Sequence, residues 1–412
     1  MIQHRYADRV RQFSPLRLPD VPPNVISFGS GDAYPGGMPD MLGSARQAFT
    51  EFRSEVLQYS AAKGLPELRQ WVADYVGSQG TRVTPDHVLI VNGAKHGLDL
   101  VCKLFLSPGD SVVVTKPTYM TALPIFRGYE AVFVEIGQDA EGLLTQELEE
   151  CLRDIGRKGQ PLPKLIYNIP EFHNPTGITM SQRRRIELVG IAQRYGILVV
   201  EDDPYRRIRF EGVSVPPIQS FDQSNCVIGL GTFSKIVAPG LRIGWVAAAP
   251  DVIEKMAWFK SDGGSCPLTQ RLILEYSRAG YIIPHVNDLI RIYASHRDTM
   301  LKALSEHLPE ATASKPHGGY YLWVRLSEHV NTDKLLPVAL RHGVEFLPAS
   351  VFYATTGPAN YLRLAYSYSA PDAIEEGMRR LRAAMAELTG QPRPGIASAS
   401  QRMTRDWGPG NS

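Results

Sequence analysis

Ile197-Leu198-Val199-Val200-Glu201-Asp202-Asp203-Pro204-Tyr205 is an apolar run that ends abruptly in three acids and a proline. Its first part, ILVVE, has the nearly continuous apolar character of a strand buried on both faces. Such strands belong to parallel sheets covered by helices. Ligands of these sheets bind beyond the carboxyl ends of the strands, so the acids are expected to face a site. A solvated acidic turn is the competing reading, and the Pro204-Tyr205 pair argues against it.

Working outward, five further runs share this character: HVLIV from His87, SVVVT from Ser111, AVFVE from Ala131, KLIYN from Lys164 and CVIGL from Cys226. Helical patterns alternate with them over 97–106 and 181–195, and one over 66–76 precedes the first strand. Pro66 near its start and Gly80 after its end suit helix entry and exit. The expected fold class is α/β, a large domain whose mostly parallel sheet is covered by helices. From about Pro284 the pattern changes to a long helix stopping before Pro309, a Gly318-Gly319 break and the strand YYLWVRL. A helix, short strands around Phe346 and Leu362, and a final helix over 372–388 follow. This reads as a smaller α+β domain. The expected division is an N-terminal segment 1–40 returning to the small domain, a large domain 41–283, a small domain 284–389 and a disordered tail 390–412.

At 412 residues, 43% hydrophobic and 21% charged, the chain suits one large and one smaller domain with ample core. A net charge of +2 gives no basic face for nucleic acid. No apolar run approaches a membrane span, and the start lacks a signal peptide's apolar centre. Cys102, Cys151, Cys226 and Cys266 form no CxxC pair and read as reduced structural thiols of a cytoplasmic protein. The ten histidines show no ligand spacing, so no metal site is expected.

Thr232-Phe233-Ser234-Lys235, continuing to Pro239-Gly240-Leu241-Arg242-Ile243-Gly244-Trp245, suits a phosphorylated aldehyde. The Lys235 amine can form a Schiff base with the carbonyl, and Thr232, Ser234 and Arg242 can hold the phosphate. That chemistry is the chemistry of pyridoxal 5′-phosphate. An acid such as Asp202 then suits the pyridine nitrogen, and Tyr205 the ring hydroxyl oxygen. Asn174-Pro175-Thr176-Gly177 makes a tight turn that can hold the Asn174 amide over the sheet edge. Asn92-Gly93-Ala94-Lys95 joins a strand to a helix and offers backbone N–H groups to a phosphate, with Lys95 adding charge. Tyr119 can stack on a planar ring. Arg363, set in an apolar strand, needs either a substrate carboxylate or an internal salt bridge. Gly29-Ser30-Gly31 is not a dinucleotide loop, since no helix follows it.

Together, NPTG, EDDPY and the SK…GLRIG run, each at a strand end and in this order, resemble the fold-type I pyridoxal-phosphate enzymes of the class I/II aminotransferases. The branch of 2-aminoadipate and kynurenine aminotransferases and MocR regulators is the most similar. The resemblance runs from about Ser14 to Leu388 and implies an aspartate aminotransferase-like fold. By it, Lys235 is the Schiff-base lysine and proton shuttle, with Asp202 and Tyr205 as its catalytic companions. Asn174, Asp202, Tyr205, Tyr119, Thr232, Ser234, Arg242, Ala94 and Lys95 hold the cofactor. Tyr59 reaches the phosphate of a neighbouring subunit, which implies a homodimer with shared sites. Arg363, Asn174, Arg17 and Gly31 are expected on the substrate side. The implied reaction moves an amino group between an L-α-amino acid and a 2-oxo acid by a ping-pong route, with room for a specialised biosynthetic role. Oxidative deamination, decarboxylation or β-elimination would use the same residues. A ligand-sensing regulator would need a DNA-binding domain ahead of this pattern, which begins here near Met1. Ala94-Lys95 stands where the branch has Ser-Gln, and Glu171-Phe172-His173 is also a departure. Both leave the substrate open.

Overall fold

The computed structural model describes residues 6–7, 9–10, 20–22 and 24–390. The tail beyond Gly390 and Arg17 lie outside the described residues. Among these residues the main sheet has eight strands. They are β2 (Val88–Val91), β3 (Ser111–Lys116), β4 (Val132–Asp139), β5 (Gly142–Leu143), β6 (Leu165–Asn168), β7 (Leu198–Asp202), β8 (Val227–Thr232) and β9 (Gly244–Ala247). Their spatial order is β2-β9-β8-β7-β6-β3-β4-β5. The pairs β3–β4, β3–β6, β6–β7 and β7–β8 are parallel. The α/β class and the mostly parallel sheet are as the apolar runs require.

The apolar runs did not reveal the two-residue edge strand β5 or strand β9. It lies antiparallel between β2 and β8. Its residues fall in the GLRIGWV stretch, whose glycines and arginine mask a strand of four residues. An antiparallel neighbour needs only a short connection, so 233–243 turns at the sheet's carboxyl edge and never crosses a face. That keeps Lys235 and Arg242 together at this edge.

Along β3, Val112 and Val114 enter one hydrophobic layer and Val113 the opposite one, the two-residue period of a strand covered twice. Helices α3 (Ala94–Phe105) and α7 (Pro250–Phe259) contribute Leu98, Val101, Ile253 and Met256 to the first layer. Helices α5 (Thr145–Arg157) and α6 (Gln182–Tyr195) bring Leu148, Leu152, Leu188 and Ala192 to the second. Ser181 caps α6, its hydroxyl accepting from Arg184 N at 3.3 Å, and Gly196 closes it at φ +66°. Helix α3 starts at Ala94, three residues earlier than the pattern suggested. Gly93, at φ +85°, lets the chain turn from β2 straight into the helix.

A second sheet of four antiparallel strands runs β10 (Thr312–Ala313), β11 (Tyr321–Arg325), β14 (Tyr361–Ala365), β13 (Leu347–Pro348). The short strand β1 (Ile26–Ser27) pairs in parallel with β12 (Val344–Glu345). Helices α9 (Ile282–His307) and α11 (Pro371–Thr389) pack against each other beside them. Pro284 sits in the first turn of α9, where its missing N–H costs nothing. Among the described residues, no helix is long and apolar enough to cross a membrane.

Candidate active site

The carboxyl ends of the main strands open into a cavity of about 340 Å³. It is lined by Gly31, Ala94, Lys95, Tyr119, Asn174, Asp202, Tyr205, Thr232, Ser234, Lys235, Arg242 and Arg363. Residues separated by up to 332 positions in sequence therefore share one space, because each ends or follows a strand of the main sheet or comes to it from β14 or from the segment after β1.

Lys235 lies in the turn after β8, and its Nζ donates to Gly31 O at 2.8 Å. It also stands 4.9 Å from the centroid of the Tyr320 ring. Burial pulls this amine down to about 8; Asp32 opposes the shift, while Arg363, Arg242 and Lys95 add to it. Asp202 ends β7 and accepts from the Tyr167 hydroxyl at 2.7 Å through Oδ2. Burial raises its carboxyl to about 6, against the effect of that hydrogen bond. Its Oδ1 is buried and has no hydrogen-bond partner among the described residues. A buried acceptor without a donor is costly, and the protonated pyridine nitrogen of pyridoxal phosphate is a donor that would satisfy it. The Tyr205 hydroxyl lies 3.1 Å from that of Tyr321, and burial keeps its proton on well above the usual phenol range.

The phosphate corner is equally specific. Arg242 bends toward α3, where its Nη2 donates to Asn92 O at 3.2 Å. A Cβ on Gly93 would stand 2.9 Å from that same Nη2, so glycine leaves room for the guanidinium against the helix start. The Thr232 hydroxyl donates to Ser234 Oγ at 2.9 Å, and both residues line the cavity together with Ala94 and Lys95 at the start of α3. Among the described residues, neither Arg242 nor Lys95 has a carboxylate partner. The donor set fits a phosphorylated aldehyde.

Arg363 is buried on β14. Its Nη1 donates to Asn174 Oδ1 at 3.0 Å, its Nη2 donates to Gly29 O, and its Nε has no partner among the described residues. The guanidinium lies 4.1 Å from the centroid of the Tyr321 ring. The internal salt bridge that the sequence left open is not found among the described residues. A buried guanidinium held only by neutral oxygens is poised for an incoming carboxylate.

Glu171-Phe172-His173 lies beneath this corner. Fully buried Glu171 gathers Arg185 at 2.9 Å, Arg206 at 3.1 Å and Arg209 at 2.6 Å. Phe172 adopts φ +47° and packs where a Cβ on Gly318 would collide with its ring, which explains the glycine pair there. His173 sits between the hydroxyls of Thr115 and Thr176, each at 3.0 Å, and burial pushes its ring down to about 3. The tripeptide thus anchors the Asn174 turn and does not line the cavity.

One expected residue, Tyr59, does not line the cavity: it is 86% exposed, beside Gly263. Arg17 lies outside the described residues. Sequence reasoning missed Tyr167, Tyr321 and Asp32. A hydroxyl in the otherwise apolar run KLIYN was the available signal for Tyr167. Tyr321 and Asp32 carried none beyond the strand YYLWVRL and the discarded GSG turn.

Residues 23–381 match the family model described as aminotransferase class I and II. The chain is similar to aromatic-amino-acid aminotransferase 1 of Thermococcus litoralis, at 37% identity over 87% of each chain. It is similar in structure to the multiple substrate aminotransferase from Thermococcus profundus, with TM-score 0.88, 34% identity, and coverage of 94% of this chain and 98% of that one. The α-aminoadipate aminotransferase of Thermus thermophilus, solved with N-(5′-phosphopyridoxyl)-L-leucine, gives TM-score 0.83 and 32% identity, covering 93% and 96%.

Proposed function

The chain belongs to the class I and II aminotransferases, and from that premise we propose how its residues divide the work. The enzyme transfers amino groups between amino acids and 2-oxo acids with pyridoxal 5′-phosphate. When bound, the cofactor supplies an electrophilic carbonyl carbon and a ring that withdraws electrons from the substrate. Lys235 is the amine that would hold that carbon, and its neutral form would take the proton from the substrate α-carbon. A lowered pKa suits both tasks, since the neutral amine is the nucleophile and the base. Asp202 keeps the pyridine nitrogen protonated. Asn174 and Tyr205 would donate to the ring oxygen, and Tyr119 would hold the ring. Thr232, Ser234, Arg242 and the first N–H groups of α3 at Ala94 and Lys95 hold the phosphate. Arg363 clamps the substrate carboxylate, which fixes the α-carbon near Lys235, and Gly31 lies on the substrate side, where its lack of a Cβ admits the Tyr321 hydroxyl to the wall.

The same proposal takes 41–283 as the cofactor-binding unit and 284–389, joined by 1–40, as the smaller one. It also takes the protein as a cytoplasmic homodimer in which Tyr59 serves a second copy's cavity. The observation that carries the catalytic assignment is the meeting, among the described residues, of a lysine that makes no salt bridge and an aspartate that has one unpartnered oxygen. Borohydride reduction of the holoenzyme followed by peptide mapping tests it. The cofactor should be fixed on the peptide carrying Lys235, and Lys235→Ala should not retain it. Attachment at another lysine would sink the assignment.

A further inference from the structure

The extended segment Gly29–Asp32 runs along the cavity wall past both reacting corners. Gly29 O accepts from the Arg363 guanidinium and Gly31 O from the Lys235 amine. The next residue, Asp32, also lines the cavity. Its place is held from two sides. The Ser367 hydroxyl donates to Asp32 O at 2.7 Å, and Tyr321 Oη occupies the space a Cβ on Gly31 would need. The Ser30 hydroxyl donates to Oδ2 at 2.5 Å, and among the described residues no donor reaches Oδ1. Asp32 also opposes the burial-driven lowering of the Lys235 pKa, so its carboxylate lies within electrostatic reach of the amine.

The other charges of the cavity have work in the proposed function, and Asp32 does not. Lys95 belongs to the phosphate corner, two residues past Gly93. With the substrate carboxylate on Arg363 and its α-carbon at Lys235, the segment's next residue meets the substrate's side chain. An anion there repels acidic side chains and attracts cationic ones.

We infer that Asp32 is a specificity-determining residue that selects amino donors with a cationic side chain, an ammonium or guanidinium such as lysine, ornithine or arginine carry. This rests on the proposed roles of Arg363 and Lys235.

The experiment uses the holoenzyme and half-reaction kinetics with lysine, norleucine and 2-aminoadipate, followed at the cofactor's visible band. Lysine should exceed norleucine in kcat/KM by roughly tenfold, the scale of one charge-assisted contact, and 2-aminoadipate should react most slowly. Asp32→Asn, whose amide oxygen can still accept from Ser30, should bring lysine and norleucine to within about twofold of each other. Calorimetry gives a reading without chemistry: 6-aminohexanoate should bind more tightly than hexanoate to the wild type and equally to Asp32→Asn. A wild type that prefers norleucine or 2-aminoadipate overturns the inference, as does an Asp32→Asn that slows all donors equally. If no amino acid bleaches the band, the transaminase reading itself fails, a result distinct from reaction without side-chain preference.

Discussion

Lys235 and Asp202 carry opposite burdens of burial, and each makes a measurable pH dependence. The Lys235 amine is pulled down to about 8 by burial, so the neutral nucleophile appears well below the usual lysine range. The rate at which cofactor-free protein captures pyridoxal phosphate should therefore rise with pH through a midpoint near 8. Stopped-flow absorbance from pH 6 to 10 would show it, and a midpoint above 10 would contradict the dominance of burial over the Asp32 charge. Asp202 has a folded-state carboxyl raised to about 6 from 3.8. A raised carboxyl holds its proton longer in the folded chain than in the unfolded one. Its contribution to stability is complete below about pH 4 and lost as pH climbs through 6. Cofactor-free Asp202→Asn should lack this loss in urea melts, gaining on the wild type between pH 4 and pH 7. Both residues were legible from residue type and strand-end position. Tyr167 was not, because nothing in KLIYN says that its hydroxyl reaches across to the neighbouring strand.

At the scale of elements, the strand ends β2, β3, β6, β7 and β8 deliver their following loops to one edge, and this arrangement was legible because buried parallel strands leave long apolar runs. Strand β9 escaped notice because four residues with a glycine at the start are too short and too mixed to show a period. The Glu171-Phe172-His173 departure looked like a change at the site and proves to be a support beneath it. Glu171 neutralises three inward-pointing arginines. Removing its charge leaves Arg185, Arg206 and Arg209 without their shared partner, so Glu171→Gln should destabilise the fold by about 3 kcal/mol. Denaturant unfolding measures this, and a change under about 0.5 kcal/mol, the range of ordinary surface substitutions, would show that the cluster is dispensable. Sequence spacing could not reveal the cluster, since its arginines come from α6 and the loop after β7 and meet only after folding.

For the whole molecule, Tyr59 is the telling residue. Tyr59 and its chain neighbour Leu57 are both exposed in the single chain. The proposed homodimer gives them a use. Sedimentation of the holoenzyme should give twice the chain mass of 45.7 kDa. Tyr59→Ala should loosen the cofactor while leaving the thermal unfolding of the cofactor-free chain within a few degrees of the wild type. A monomeric, fully loaded Tyr59→Ala would remove the shared-site proposal. By itself the sequence determined the α/β class and the cofactor, and it named the lysine, aspartate and arginines proposed to hold it. Those follow from local period and from residue types that few other chemistries require. Only the tertiary structure decided that Asp32 shares the cavity and that, among the described residues, Asp202 keeps an unpartnered oxygen and Arg363 makes no internal salt bridge. These are contacts between segments far apart in the chain, set by packing against β11 and β14 and invisible to any local pattern.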